Sequence, residues 1–242
     1  MGNRSNIFST EKGAVVINSD VKNDIIALLM ESEKTNKEIR EELDKAKSTV
    51  SVHLSDLKEL DIIKEKIHPE DERKKIFYIN SKLLGMSEPP FDEHYKHMLD
   101  NLKESSGDSY DFLKSLFHLI RYGLTSFGLD IHPALKEIGR DAGKRIAENF
   151  ESEDMEGLLD EVGEFWRENR LGQVEVVDEN NILVQDCFDC CDMPDIETTF
   201  CSLDEGMIEG IIEAKTGMDV DVKEIECFGT GDEHCKFNIQ ER

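Results

Sequence analysis

A chain of 242 residues with 38% hydrophobic side chains can form one large domain or two ordinary ones, each with a packed core. Its formal net charge of −25 excludes nucleic-acid binding spread over the whole surface, because phosphate contacts need Lys and Arg. No apolar run reaches membrane-spanning length and no signal-peptide core opens the chain, so a cytoplasmic protein without a membrane partner is expected.

The charge is unevenly divided. Residues 1–86 hold 15 Lys and Arg against 16 Asp and Glu, whereas residues 87–242 hold 14 against 38. A near-neutral part joined to a very acidic one suits a DNA-binding module with a heavily solvated partner domain. All six cysteines fall between 187 and 235, which argues for metal or redox chemistry rather than a disulfide framework stapling the whole chain.

Along the chain, residues 2–5 read as disordered, and residues 14–17 as a short strand or an arm. Helical periodicity starts at Asp20, with Ile25, Ile26, Leu28 and Leu29 on one side. Thr35 and Glu38 form a capping-box signature opening a short helix that buries Ile39 and Leu43. A third helix over residues 47–60 places Val50, Leu54 and Leu57 at i, i+4 and i+7, leaving Ser48, Thr49, Ser51, His53 and Ser55 on its other face. Two strand-like runs follow, residues 64–68 and 74–80, joined by a polar tip.

Helix, helix, turn, helix and β-hairpin in that order is a winged helix-turn-helix. The stretch KSTVSVHLSDLKELDII resembles the recognition helix of ArsR-type and related prokaryotic regulators, over residues 20–86. Ala46 departs from that pattern where such helices usually carry a capping Ser or Thr, and Lys45 where they carry an apolar residue. Double-stranded promoter DNA is then the expected partner. Lys47, Ser48, Thr49, Ser51 and His53 would face the major groove, and Arg73, Lys74 and Lys75 the backbone or minor groove.

Pro89 and Pro90 mark a boundary. Phe91, Tyr95, Met98 and Leu102 then recur at helical spacing. Such a stripe needs a cover, either a second copy in a homodimer or the chain's own C-terminal domain. The expected organisation is residues 1–88 for DNA binding, 89–108 for a linker or dimerisation helix, and 109–242 for a sensor domain. Residues 110–127 are apolar on nearly all sides and are expected to be buried. Further helices over 133–150 and 154–169 precede strands at 172–178 and 182–188, giving an α+β fold.

Cys201 stands just before Ser202-x-x-Glu205, a capping-box signature, so its thiol is expected to feel a helix N-terminus that favours thiolate. Cys227 and Cys235 flank FGTGDEH, a hairpin turn that lets both thiols, with Ile225, share one face. In an ideal strand Glu224 and Cys227 face opposite sides, so a common site requires a bulge or bend near Lys223. Three thiolates and a carboxylate suit tetrahedral zinc, with His234 as the alternative fourth ligand, unless these are free core cysteines.

Cys201, Glu224, Cys227 and Cys235 resemble, in spacing, the structural zinc ligands of the V4R (vinyl-4-reductase) domain, the small-ligand sensor of phenol-responsive activators. The resemblance spans roughly residues 110–240 and implies helices and a sheet around a ligand cavity. Phe112, Phe117, Tyr122, Phe127, Phe165 and Trp166 either line that cavity or fill a core. Cys187, Cys190 and Cys191 form a second cluster that the motif does not need. Redox sensing suits it, although Asp186, Asp189 and Asp192 should raise the thiol pKa values and slow the reaction.

A winged helix followed by a cysteine-bearing V4R domain resembles the methanogen-specific V4R regulators. In that family redox state controls binding to promoters of oxidative-stress genes and to the regulator's own promoter. The expectation is therefore a homodimeric, zinc-containing, redox-responsive transcription regulator rather than an enzyme. The alternative input is a small hydrophobic effector in the V4R pocket, and the alternative class is a thiol-disulfide oxidoreductase.

Overall fold

Contacts in the computed structural model, which describes residues 5–90, 95–191, 193 and 197–242, divide the chain into two units. One is Met1–Pro90 with Gly128–Asp130; the other is Phe91–Phe127 with Ile131–Arg242.

The N-terminal unit opens on a hairpin, β1 (Asn6–Thr10) and β2 (Gly13–Ile17), where the sequence suggested no more than a short strand or an arm. Gly13 turns the chain at a φ of 103°, a conformation that costs little without a Cβ. The signal was weak because each strand buries little alone; Phe8 and Ile17 do so only against the helices. Residues 2–4 lie outside the described ones, and the Ser5 N–H donates to Ser87 Oγ.

Next come α1 (Asp20–Glu31), β3 (Lys34–Thr35), α2 (Asn36–Glu42), α3 (Lys47–Glu59), β4 (Ile63–His68) and β5 (Asp71–Ile79). This is the winged-helix order. The Thr35–Glu38 capping box forms in both directions, with Thr35 N–H donating to Glu38 Oε2 at 2.7 Å and Glu38 N–H to Thr35 Oγ1 at 3.4 Å. Val50, Leu54 and Leu57 are buried against Ile25, Ile26 and Ile39, as their spacing predicts. The three-stranded wing sheet has the order β3-β5-β4.

Just before the boundary expected at Pro89 and Pro90, residues 82–87 form a strand, β6 (Lys82–Ser87), because their backbone pairs antiparallel with β1. On its far side it pairs with β7 (Leu129–Asp130), giving the order β2-β1-β6-β7. A segment from the middle of the chain thus completes the N-terminal sheet.

The C-terminal unit holds α4 (Tyr95–Glu104), α5 (Ser109–Ser126), α6 (His132–Ile146), α7 (Met155–Glu168), β8 (Gln173–Asp178), β9 (Asn181–Gln185), α8 (Ser202–Thr216), β10 (Val220–Glu226) and β11 (Cys235–Glu241). Its antiparallel sheet runs β10-β11-β9-β8, so the class is α+β. The helix expected to link or dimerise is part of this unit. Met98 of α4 sits in its core, and the Tyr95 ring lies 5.5 Å from that of Phe127. Phe91 falls outside the described residues.

Helix α5 departs from expectation. It buries a largely polar face, His118, Arg121, Tyr122 and Ser126, and leaves Leu113 and Ile120 exposed. The reason is local. His118 bonds the Phe188 carbonyl at 2.7 Å, and Arg121 pairs with Asp189 at 2.8 Å, so polar partners in the 187–190 loop hold that face inward.

Helices α6 and α8 touch through glycine. A Cβ at Gly206 would lie 1.9 Å from the Lys136 carbonyl oxygen, and one at Gly143 would lie 2.1 Å from that of Met207. The contact is clasped by Lys136, whose ammonium reaches Glu209 at 2.9 Å and the Val222 carbonyl at 2.7 Å. Gly206→Ala should therefore lower stability by about 1–3 kcal/mol, the usual cost of overpacking. Gly107→Ala, with no atom within 4 Å of its Cβ, serves as the control. Thermal unfolding of the two variants measures this, and equal melting temperatures would show that the helices do not pack so closely.

Candidate metal centre and nucleic-acid interface

Four segments bring sulfur to one point. Asp186 takes a φ of 51°, a left-handed turn that Asp tolerates, and bends the chain after β9. The Cys187 carbonyl then accepts from Cys190 N–H at 3.3 Å and Cys191 N–H at 3.0 Å, folding the loop tightly. Cys235 starts β11 opposite Val184 of β9. Cys201 is the N-terminal cap of α8.

The β10 pairing shifts register between Glu224 and Glu226, leaving Ile225 exposed and both Glu224 and Cys227 buried. This is the bulge that the Glu-x-x-Cys spacing demanded, two residues from Lys223. It moves Ile225 away from the inner face on which the sequence placed it. Cys227 opens a turn closed by Gly231 at a φ of 86°, and the Gly229 N–H donates to its sulfur at 3.4 Å.

Ligand atoms of Cys190, Cys201, Glu224, Cys227 and Cys235 all lie within 4.8 Å of one another. Sulfur separations are 3.0 Å for Cys190–Cys235, 3.4 Å for Cys190–Cys201 and 3.8 Å for Cys201–Cys235. Zinc–sulfur bonds of about 2.3 Å set a tetrahedral sulfur–sulfur edge of about 3.8 Å; the Cys201–Cys235 separation equals it and the two Cys190 separations are shorter, so the cluster is compact enough to close around one ion. Sequence spacing placed Cys190 with the redox residues; the geometry places it with the four expected ligands. Glu224 instead accepts the Phe200 and Cys201 N–H groups on Oε2, both at 2.9 Å, while its buried Oε1 has no hydrogen-bond partner. His234 points elsewhere, bonding Glu226 at 2.7 Å.

Charge is crowded here. Burial, and then the Cys227 charge, push the Glu224 carboxyl up to about 8. Burial also raises the Cys201 thiol, outweighing the helix N-terminus that was expected to lower it. Hydrogen bonds from neighbouring thiols hold Cys227 and Cys187 far below the usual thiol range, although adjacent aspartates were expected to raise Cys187. Asp192 lies outside the described residues. A thiophilic cation relieves this crowding, and the donor set fits zinc.

Beside the sulfurs lies Arg121, a buried cation that the sequence reading did not single out. Burial lifts its partner Asp189 to about 6, against the pull of the guanidinium. A second buried group, Cys187, Cys201 and Asp204, shares Cys201 with the first. Cys191 stands apart, partly exposed, with the Lys114 ammonium 3.1 Å from its sulfur. Of the aromatics considered for a pocket, Tyr122 and Trp166 are buried in the core, whereas Phe112 and Phe127 are exposed.

In the N-terminal unit, Lys47, Ser48 and Ser51 are exposed on α3, and Thr49 and His53 are half-buried. Arg73, Lys74 and Lys75 project from the wing, and Lys37, Arg40 and Lys47 join them around a cleft of about 760 Å³. Lys37 and Arg40 were not expected there, because only folding brings α2 opposite the wing. The wing cations are held by their own acids. Arg73 and Lys74 meet Asp71 at 3.1 and 3.4 Å, and Lys75 meets Glu65.

Residues 180–241 match the V4R domain family, and residues 19–65 match the bacterial regulatory proteins of the arsR family. An uncharacterized protein of Methanocaldococcus jannaschii is 32% identical over 130 residues, which are 52% of this chain and 74% of that protein. A second from the same organism is 28% identical, again over 52% of this chain and 76% of its own length. Among solved structures, a vinyl-4-reductase family protein from M. jannaschii aligns with a TM-score of 0.40 and 16% identity, over 62% of this chain and 96% of its own. The phenol-responsive sensory domain of the transcription activator PoxR, with phenol, aligns at 0.42 and 18%, over 62% and 91%.

Replacing Arg73, Lys74 and Lys75 with Ala should weaken binding to every DNA sequence and reduce the salt slope by roughly 2–3, at about 0.9 per phosphate contact. Changes at Ser51 or His53 should alter sequence preference instead. Titrations at several salt concentrations decide this, and an unchanged slope in the triple variant would place the DNA on another face.

Proposed function

From the premise that the chain belongs to the V4R-domain family and couples that domain to an ArsR-type DNA-binding module, we propose a transcription regulator that binds promoter DNA according to the state of a thiolate–zinc centre. The observation that carries the reading is the convergence of four buried sulfurs from distant segments, Cys190, Cys201, Cys227 and Cys235, beside the Glu224 carboxylate, in a cluster compact enough for one ion. Zinc, when bound, supplies a redox-inert anchor; the protein's thiols supply the response.

That response starts at Cys191, the cysteine with solvent exposure, whose neighbour Lys114 favours thiolate. The thiolate takes the terminal oxygen of a hydroperoxide to become a sulfenic acid, and as the O–O bond breaks the rest of the hydroperoxide takes up a proton and leaves as an alcohol or water. A second thiol, Cys187 one turn back or Cys191 of a second copy, then displaces water to form a disulfide. Two sulfurs lose two electrons in all. Withdrawing Cys187 strains the loop whose Asp189 holds Arg121 of α5.

A homodimer suits this reading. Leu113, Ile120 and Phe127 form an exposed apolar line in a stretch, residues 112–127, that has no acidic residue. For so acidic a chain this is a face on which two copies repel least. A twofold dimer would read a palindromic operator. Five of the six thiols are buried, which disfavours a thiol-disulfide oxidoreductase acting on external substrates. The dispersal of the aromatics between core and surface disfavours a hydrophobic effector as the signal.

The protein should purify with at least one zinc per chain, and Cys227→Ser or Cys235→Ser should lose it and destabilise the C-terminal unit. Elemental analysis with thermal unfolding tests this, and folded, metal-free wild type would refute it. Reduced and oxidised protein should differ in operator affinity by roughly 5- to 150-fold, as expected for 1–3 kcal/mol of coupling. Cys191→Ser should keep its zinc and abolish the difference. Equal affinities in the two states would end the redox reading.

A further inference from the structure

Once four sulfurs surround one ion, the Cys187 thiol and the carboxylates of Asp189, Asp204 and Glu224 remain buried beside it. The Cys187 sulfur is 3.5 Å from that of Cys201, and Asp204 Oδ2 faces it at 3.8 Å. Ligand atoms of Cys187, Cys201 and Asp204 all fall within 4.8 Å of one another. Bond lengths of about 2.3 Å to sulfur and 2.0–2.2 Å to oxygen give ligand edges of about 3.5–3.8 Å around a tetrahedral ion, which these separations match. From this geometry we propose a second metal position, held by Cys187, Cys201 and Asp204, with Cys201 bridging it to the first.

The donor set is mixed sulfur and oxygen, which selects a thiophilic divalent cation such as zinc, cadmium or ferrous iron over magnesium or calcium. Two independent observations point to a ligand there. Asp189, in the loop between Cys187 and Cys190, is 2% exposed, and its Oδ1 has no hydrogen-bond partner. A buried carboxylate oxygen left without a partner calls for a water or an ion nearby. Charge is the other. Asp189, Asp204 and Glu224 are buried with the thiols, yet Arg121 is the one fully buried Lys or Arg among the described residues, and it serves Asp189. Buried anions require either protons or a cation. A single tetrahedral ion has no use for Cys187 or Asp204, since four other sulfurs are in place; two ions sharing Cys201 use all of them.

The inference rests on the zinc centre proposed above and adds a second ion to it; where Cys187 is the resolving thiol, it leaves this second ion on oxidation. Full-length reduced protein saturated with cadmium-113 tests it. Wild type should give two protein-bound resonances, one at a shift typical of four sulfurs and one at a mixed sulfur–oxygen shift. Asp204→Asn and Cys187→Ser should each retain the first and lose the second, with metal per chain falling from two to one and the circular dichroism unchanged. One resonance in wild type overturns the second position and leaves the first standing. Two resonances that survive both substitutions overturn it as well, by placing the second ion elsewhere. No bound metal in wild type sinks the zinc centre itself and the second position with it. Because the wild-type spectrum decides between one ion and two, the test holds even where a variant fails to fold.

Discussion

The C-terminal unit depends on how closely α8 approaches α6. Glycines at 139 and 143 on one helix, and at 206 and 210 on the other, leave the two backbones almost in contact, where any Cβ would clash with a carbonyl oxygen. That approach carries the first turn of α8 into the interior. Its opening residues, Cys201 and Asp204, consequently meet the bulged β10 strand and the 187–190 loop instead of water. The Ser202–Glu205 capping box suggested by the sequence does not close for the same reason. Glu205 is turned toward β10, accepting the Glu224 N–H at 2.8 Å, and toward Lys136 at 3.3 Å.

Burial on this scale dictates chemistry. Thiols and carboxylates removed from water keep a negative charge only beside a compensating positive one. The Arg121 guanidinium compensates Asp189; burial pushes the carboxyls of Glu224 and Asp204 upward. A site of this kind binds a thiophilic cation by exchanging protons for metal, which couples its occupancy to pH and to folding. Removing either member of the Arg121–Asp189 pair would strand a buried charge at a cost of about 3–5 kcal/mol, so the loop between Cys187 and Cys190 is held firmly to α5.

Helix α5 then has two sides with different tasks. Its polar side is committed to that loop, and its apolar side is left at the surface. Its C-terminal end leads directly into β7, two residues that complete the N-terminal sheet beside β6. Helix α5, which the cysteine loop contacts through Asp189 and the Phe188 carbonyl, is thus covalently continuous with a strand of the N-terminal sheet.

Much of the fold could be read locally. The periodicity of Val50, Leu54 and Leu57, the Thr35–Glu38 capping box and the paired strand runs after α3 each reflect interactions within a few residues, so they identified the winged helix without further help. The Cys201, Glu224, Cys227 and Cys235 spacing likewise pointed to a buried cluster, and even to the bulge that brings Glu224 and Cys227 to one side. Tertiary structure alone decided the rest. The β1–β2 hairpin and β7 are too short to announce themselves, because their stability comes from partners distant in the chain. The inward turn of the polar face of α5 depends on Asp189 and the Phe188 carbonyl, about seventy residues away, which hydropathy averaged along a helix cannot register. Membership of Cys190, Cys187 and Asp204 in the buried cluster was hidden for the same reason. Spacing in sequence measures distance only within one element, and these residues are brought together by tertiary packing, the loop against α5 and α8 against α6.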